Sequence, residues 1–380
     1  MTNCQKTPEV PVSVVMPVRN AERYIIKAVR SILLQTGIDF EVIVIDDGST
    51  DQTPALLASL ASCHTRLHVH QRVGPGGISQ SLNQGIALAR GRYIARMDAD
   101  DIALKGRLAA QYNYLETHPN VGVIGTQARF IDKNDIIGRR VRVPVGVRHV
   151  CKSLKLSSPL IHPTVMMRRD LVLSVGGYRS IFDSAEDYDL WLRLSMVTNI
   201  NNMDETYLYY RCHSNQQTIR HSFKQAHLSA LALVAYNLRL KNYPDPFSNL
   251  TDLKNWQIML QNRCPISLEN IRFFMAGTLA DNGGSLCEKG SAFLHKACCR
   301  AVKNGSKEAC ARLSLACVRH QLKLFRNKQW KEAFAFLFFA FKLWDYQLLT
   351  ALFHHISIIW KCKKKLFLFR MAPDITHRKQ

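Results

Sequence analysis

The sequence predicts an α/β domain on a mostly parallel, twisted sheet covered on both faces, followed by an α-helical C-terminal region. Three observations carry that expectation. Short β-branched runs alternate with helical patterns over the first hundred residues. Those runs are apolar throughout, as strands buried on two faces are. From about residue 220 the text changes to long helical patterns such as "FKQAHLSALALVAYNLRLK", 223–241.

The elements follow in order. "VSVVMPV", 12–18, reads as a buried strand. "NAERYIIKAVRSILLQT", 20–36, has apolar residues at helical spacing, with Asn20 as the expected N-cap. "FEVIVIDDGSTDQT", 40–53, is a second buried strand, Phe40–Ile45, ending in acids and a turn. A helix over roughly 54–62, a weak strand in "RLHVHQR", the loop "GPGG" at 74–77 and the helix "ISQSLNQGIALAR" come next. "RYIARM" is the fourth strand. In open parallel sheets the ligand lies outside the carboxyl ends of the strands. Pro17–Arg19, Asp46–Asp47 and Asp98–Asp101 are those ends, so they belong on one edge.

Charge divides the chain. Residues 1–220 hold 26 basic and 20 acidic side chains, and residues 221–380 hold 25 and 9. Two regions are therefore expected, 1–220 and a basic helical 221–380, the second suited to an anionic surface. Eleven scattered cysteines without a CxxC pair argue against a disulfide framework or a zinc module and fit free thiols in a reducing compartment. The opening "MTNCQKTPEV" has no apolar core, so no secretory signal is expected. No apolar run reaches the length of a spanning helix; "AFAFLFFAF", 333–341, is ended by Lys342.

Asp98, Asp100 and Asp101 repel one another at a strand end. A cation there would offset that repulsion, and carboxylates suit Mg²⁺ or Mn²⁺ with substrate phosphates completing the shell. A solvated turn is the plain alternative; the strand context and the second acidic strand end favour the cation. There is no GxxxxGK[ST] and no GxGxxG after the first strand, so phosphates are not expected in a glycine nest.

"VSVVMPVRNAERYIIKAVRSILLQT", "FEVIVIDDGSTDQT", "LNQGIALARGRYIARMDADD", "HPTVMMRRDLV" with "VGGY", and "AEDYDLWLRL" occur in this order. Together they resemble the family 2 glycosyltransferases of the GT-A type, over about residues 10–215. The resemblance implies a Rossmann-like nucleotide-sugar-binding domain. It places Pro17, Arg19 and Glu22 along the nucleotide site and gives Asp47 an N–H of uracil. It sets Asp98 near the ribose or donor sugar and Asp100 on the metal. It puts Arg107 beside the same site, Asp187 as the catalytic base and His213 as a residue that helps bind the metal or close the site. The implied reaction is an inverting transfer from a nucleotide-diphosphate sugar, a UDP-sugar by analogy with Asp47. The acceptor is a hydroxyl of a glycan or lipid-linked glycan, as in surface lipopolysaccharide or capsule assembly.

Plainer readings stand beside these. Glu186 is the rival base. Leu190 and Trp191 read as core and Asp189 as a helix-surface or packing acid. His162 is either an acceptor contact or a loop histidine. The three histidines at 64, 68 and 70 read as solvated, and Gly176–Gly177 as a tight turn. Residues 330–370 mix aromatic residues with lysines. They fit an interfacial helix pair on an anionic membrane, or a hairpin packed on the helical region. The expected location is cytoplasmic, peripheral on the inner face of the cell membrane. The competing function is an inactive transferase-like domain whose basic region binds nucleic acid or an acidic polymer. No nucleic-acid module is present to support it.

Overall fold

The computed structural model describes residues 10–72, 74–212, 222–248 and 250. These belong to a compact unit, Met1–Leu268; a second unit, Glu269–Gln380, lies outside the described residues, as do His213 and the segment 330–370.

The first strands are β1 (Val12–Val18), β2 (Phe40–Asp46), β3 (Leu67–Gln71) and β4 (Tyr93–Arg96). All three contacts among them are parallel, in the order β3-β2-β1-β4. β2 is buried at every position, as its unbroken apolar run requires. Helices α1 (Ile25–Leu33), α2 (Thr53–Cys63) and α3 (Ile78–Leu88) make the crossovers. α1 buries Ile25, Ala28, Val29 and Ile32 in the core with Val12, Val14 and Met16. Each such side chain contributes roughly 1.5–3 kcal/mol when fully buried. Gly85 lets α3 lie close to the sheet: a Cβ there would sit 2.4 Å from Val15 Cγ1.

Beyond β4 the sheet becomes mixed. It continues with β5 (Ile102–Ala103), β6 (Val121–Ile131), β7 (Ile137–Val141), β8 (Met166–Arg168) and β9 (Asn199–Arg211). Among the described residues the order is β3-β2-β1-β4-β8-β6-β9-β5, with β7 paired to β6. β8 runs antiparallel to both β4 and β6, and β6 is parallel to β9. The helices here are α4 (Arg107–Thr117), α5 (Val147–Leu154), α6 (Arg169–Ser174), α7 (Glu186–Leu194) and α8 (Ser222–Leu240). Among the described residues no helix is long and apolar enough to cross a membrane.

One local expectation is corrected. The helix expected from residue 20 begins at Ile25, and Asn20 does not cap it. Asn20 has φ 51°, a left-handed conformation that asparagine tolerates better than most residues. Its Oδ1 accepts the Thr50 N–H at 2.8 Å, and its own N–H donates to Ser49 Oγ at 2.9 Å. The side chain therefore fastens the loop after β2 and leaves the helix start alone.

Candidate active site

Register assembles the edge formed by the carboxyl ends of the parallel strands. β1 pairs with β2 through Val18 and Asp46 and with β4 through Val15 and Arg96. The three carboxyl ends thus lie side by side, with Pro17 and the exposed Arg19 at the end of β1. The following loops are laced together. The Glu22 N–H donates to Asp51 Oδ2 at 3.1 Å, and Glu22 Oε2 accepts the Gln52 N–H at 2.9 Å. Asp46 turns back on its own loop and accepts both the N–H and the hydroxyl of Ser49.

Asp47 faces the glycine loop. It accepts the N–H groups of Gly76 at 2.8 Å and Gly77 at 3.0 Å, and Arg72 Nε lies 3.1 Å away. This gives "GPGG" a physical reason. A Cβ on Gly76 would come 2.2 Å from Arg72 Nη2, and one on Gly77 would come 2.5 Å from Asp183 Oδ2.

Carboxylate oxygens of Asp98, Asp100 and Asp101 all lie within 4.8 Å of one another at the end of β4. Asp98 Oδ2 is 2.5 Å from Nη1 of the buried Arg96. Asp101 Oδ1 accepts the Arg211 N–H at 2.8 Å, while its buried Oδ2 has no hydrogen-bond partner. Burial first, then the charges of Asp100 and Asp98, push the Asp101 carboxyl well above the ordinary range. A concentrated, under-neutralised set of hard oxygens fits a divalent cation. Arg211 holds this loop in place: its Nε donates to the Asp100 carbonyl and its Nη1 to the Asp132 carbonyl, both at 2.7 Å.

Arg107 lies beneath the strand end that leads into the acidic loop, and its side chain is 0% exposed. Nη2 donates to the Arg96 carbonyl at 2.7 Å and Nε to Gln111 Oε1 at 3.1 Å. Burial lowers its pKa to about 9. It braces the strand end from below, because an enclosed guanidinium must satisfy its donors internally.

α7 carries the second acidic centre. Ser184, with φ 99°, turns the chain into the helix, and its N–H donates to Glu186 Oε2 at 2.7 Å. Asp187 Oδ1 accepts the Tyr188 N–H at 2.7 Å, and Ser158 Oγ lies 3.4 Å from Oδ2. Burial, then the charge of Asp187, raises the Glu186 pKa to about 7. Burial also raises that of Asp187, opposed by the Tyr188 N–H and the positive charge of Arg96. Arg96 acts on Asp101 and His162 as well, so one buried cation is electrostatically shared by both acidic centres. His162 Nε2 is 2.9 Å from Tyr178 Oη, and its ring meets Trp191 edge-on. Burial and Arg96 keep its imidazole neutral.

Ion pairs set the position of α7. Asp189, 0% exposed, accepts from Arg179 and from Arg193, whose Nη2 is 2.8 Å from Oδ2. Arg193 also donates to the carbonyls of Val175 at 2.6 Å and Gly177 at 2.7 Å. Arg179 reaches Asp245 at 2.8 Å, and Arg239 of α8 reaches the same carboxylate at 2.5 Å.

The sequence model of "Glycosyl transferase family 2" matches residues 13–176. The O-antigen biosynthesis glycosyltransferase WbnJ of Escherichia coli is 32% identical over 232 residues, which is 60% of this chain and 87% of WbnJ. The chain belongs to glycosyl transferase family 2. Its fold is that of the GT-A glycosyltransferases. S. aureus TarS 1-349, solved in complex with UDP-GlcNAc, superposes with a TM-score of 0.51 at 19% identity, covering 84% of this chain and 92% of that one. The mannosyltransferase PcManGT from Pyrobaculum calidifontis, solved with GDP-Man and Mn²⁺, gives 0.50 at 18% identity, covering 90% and 89%.

The structure brings Pro17, Arg19, Asp47, Asp98 and Asp100 to adjacent strand ends, with Glu22 in the loop after β1, and seats Asp187 on a helix that feels the charge of Arg96, the partner of Asp98. Sequence reasoning passed over Arg96, Arg211 and Asp183. Asp183 accepts the Ser79 hydroxyl, and burial raises its pKa. The available signal for Arg96 was an arginine inside an otherwise apolar strand run, where a buried cation needs an acid close by.

Proposed function

We propose that this family 2 glycosyltransferase catalyses an inverting, divalent-metal-dependent transfer from a UDP-sugar to an acceptor hydroxyl during surface-glycan assembly. The observation that carries the reading is the pairing of two acidic centres around one buried arginine, with Asp98, Asp100 and Asp101 on one side and Asp187 on the other.

Asp100 would hold Mg²⁺ or Mn²⁺, with Asp98 near the ribose or donor sugar, and the ion would neutralise charge developing on the departing diphosphate. Asp187 accepts the proton of the acceptor hydroxyl as that oxygen attacks the anomeric carbon from the side opposite the nucleotide. The C–O bond to the nucleotide breaks as the new one forms, so no covalent enzyme intermediate is needed. Asp187 is preferred over Glu186. Glu186, the more buried of the two, is turned to the Ser184 N–H, whereas among the described residues Asp187 Oδ2 has only the 3.4 Å contact with Ser158 Oγ. Asp47 would read the uracil edge with lone pairs left after its two backbone bonds. Pro17, Arg19 and Glu22 line the nucleotide side.

Metal use is supported by the acid cluster and by the Mn²⁺ in the PcManGT complex. A UDP donor is supported by the UDP-GlcNAc complex of TarS, and surface-glycan assembly by the name of WbnJ. We also propose a lipid-linked acceptor and a peripheral location on the inner face of the cell membrane. The test is nucleotide release from a panel of UDP-, GDP- and dTDP-sugars with Mn²⁺ or Mg²⁺, and again with EDTA, with donor binding checked in the same samples. Release from one UDP-sugar that stops with EDTA is the expected result. No metal-dependent release or binding of any donor would remove the reading.

A further inference from the structure

Residues 129–152 form the end of β6, the strand β7 and most of α5. They contain seven Lys or Arg and two acids. Both acids are engaged within the fold. Asp132 Oδ1 accepts the N–H groups of Asn134 and Ile136, and Asp135 pairs with Lys27 and with Arg211. Arg140 is matched by Asp204 of β9, where Glu205 is also exposed. Arg129, Lys133, Arg139, Arg142 and Arg148 are left facing solvent. The turn before α1 extends the same patch, since Arg23 Nη2 donates to the Lys133 carbonyl at 3.1 Å.

Among these cations the β6–β7 turn presents two adjacent isoleucines, Ile136 at 66% and Ile137 at 47% exposure. Positive charge alone would suit any polyanion. Exposed isoleucines gain only where hydrocarbon is available, and cations flanking an apolar tip match the layering of a bilayer interface.

The location adds a second argument. The turn is tied to the acidic cluster through Arg211, which bonds Asp132 and Asp135 on one side and the Asp100 carbonyl on the other. At the far end of the strip, the chain leaving α5 reaches Ser158 beside Asp187. The strip is therefore tied to the acid cluster, and the chain leaving it runs on to the residues beside Asp187.

We propose that this strip is a docking surface for an anionic phospholipid bilayer. Ile136 and Ile137 enter the interface, and Arg139, Arg142 and Arg148 meet lipid phosphates. A lipid-carried acceptor is then delivered at the rim of the cleft. That last consequence rests on the proposed transferase reading; the docking itself does not.

The test is hydrogen exchange of the full chain with vesicles of phosphatidylcholine, with or without phosphatidylglycerol, and with a DNA duplex as a soluble polyanion. No donor is present, so this test can fail while sugar turnover succeeds, and the reverse. Phosphatidylglycerol vesicles are expected to slow exchange across 129–142 at least twofold and to leave 53–63 unchanged. Neutral vesicles and DNA are expected to do neither. Ile136→Asp with Ile137→Asp abolishes the protection, and Arg139→Gln or Arg142→Gln each weakens vesicle partitioning about fivefold. Donor hydrolysis without vesicles stays at the wild-type rate in all of these variants. Protection confined to 330–370, equal protection by DNA, or no protection would each overturn the proposal.

Discussion

The two halves of the sheet deliver their acids by different means. In the parallel half, β1, β2 and β4 set Asp47, Asp98 and Asp100 on one edge through backbone register. In the mixed half, Asp187 rides on the nine-residue helix α7, whose place depends on the enclosed pairs among Arg179, Asp189, Arg193, Arg239 and Asp245. Register is a property of the whole strand and survives single side-chain changes. An enclosed ion-pair network does not, because removing one partner leaves a buried charge uncompensated. The parallel half is thus built to be robust and the mixed half to depend on single charges.

The largest effect expected is on chemistry. Asp187→Asn lowers turnover by about 10²–10⁴-fold, the usual range for losing a general base, in a steady-state transfer assay. The next separates the halves by stability. Asp189→Ala costs roughly 3–5 kcal/mol in denaturant unfolding, since two arginines lose their shared buried partner. Asp245→Asn costs less in stability but lowers turnover while leaving donor affinity unchanged, because it loosens α7 and leaves the parallel edge intact. A parallel drop in donor affinity would mean that the two halves are not separable.

A pH experiment sharpens the same contrast. Glu186 has its pKa raised from 4.5 to about 7, so the folded chain holds a proton that the unfolded chain releases. Its contribution to stability is complete below about pH 4.5 and is lost as pH rises through about 7. Glu186→Gln is expected to remove that part of the decline, visible as a smaller fall in Tm between pH 5 and pH 8. An unchanged slope would assign the decline elsewhere. The smallest effect belongs to the parallel half: Asn20→Ala loses one bond to the Thr50 N–H and costs about 1 kcal/mol in thermal unfolding.

This contrast also explains what could be read in advance. The parallel strands β1, β2 and β4, and the acidic ends of β2 and β4, follow from apolar runs whose meaning is local, while the half-buried β3 left only a weak signal. The antiparallel β8 was not legible, because "MMR" is three residues long and its direction is fixed by β4 and β6. Asn20 looked like a helix cap because its partner, Thr50, lies thirty residues away. The depth of Arg107 was not legible, because sequence gives residue type but not burial, and this guanidinium is enclosed. Asp189 was legible only as a helix-surface or packing acid; its burial between Arg179 and Arg193 was not. Asp245 was not legible, because nothing local marks it as the partner of an arginine 66 residues earlier.

The most direct test of separate roles for the two acidic centres compares Asp100→Asn and Asp187→Asn with wild type. Donor binding by calorimetry with Mn²⁺ and transfer to acceptor are measured on the same preparations. Asp187→Asn should bind the donor as wild type does and transfer almost nothing, while Asp100→Asn should lose the Mn²⁺-dependent part of binding. Wild-type transfer by Asp187→Asn, or unchanged Mn²⁺-dependent binding by Asp100→Asn, would contradict the account.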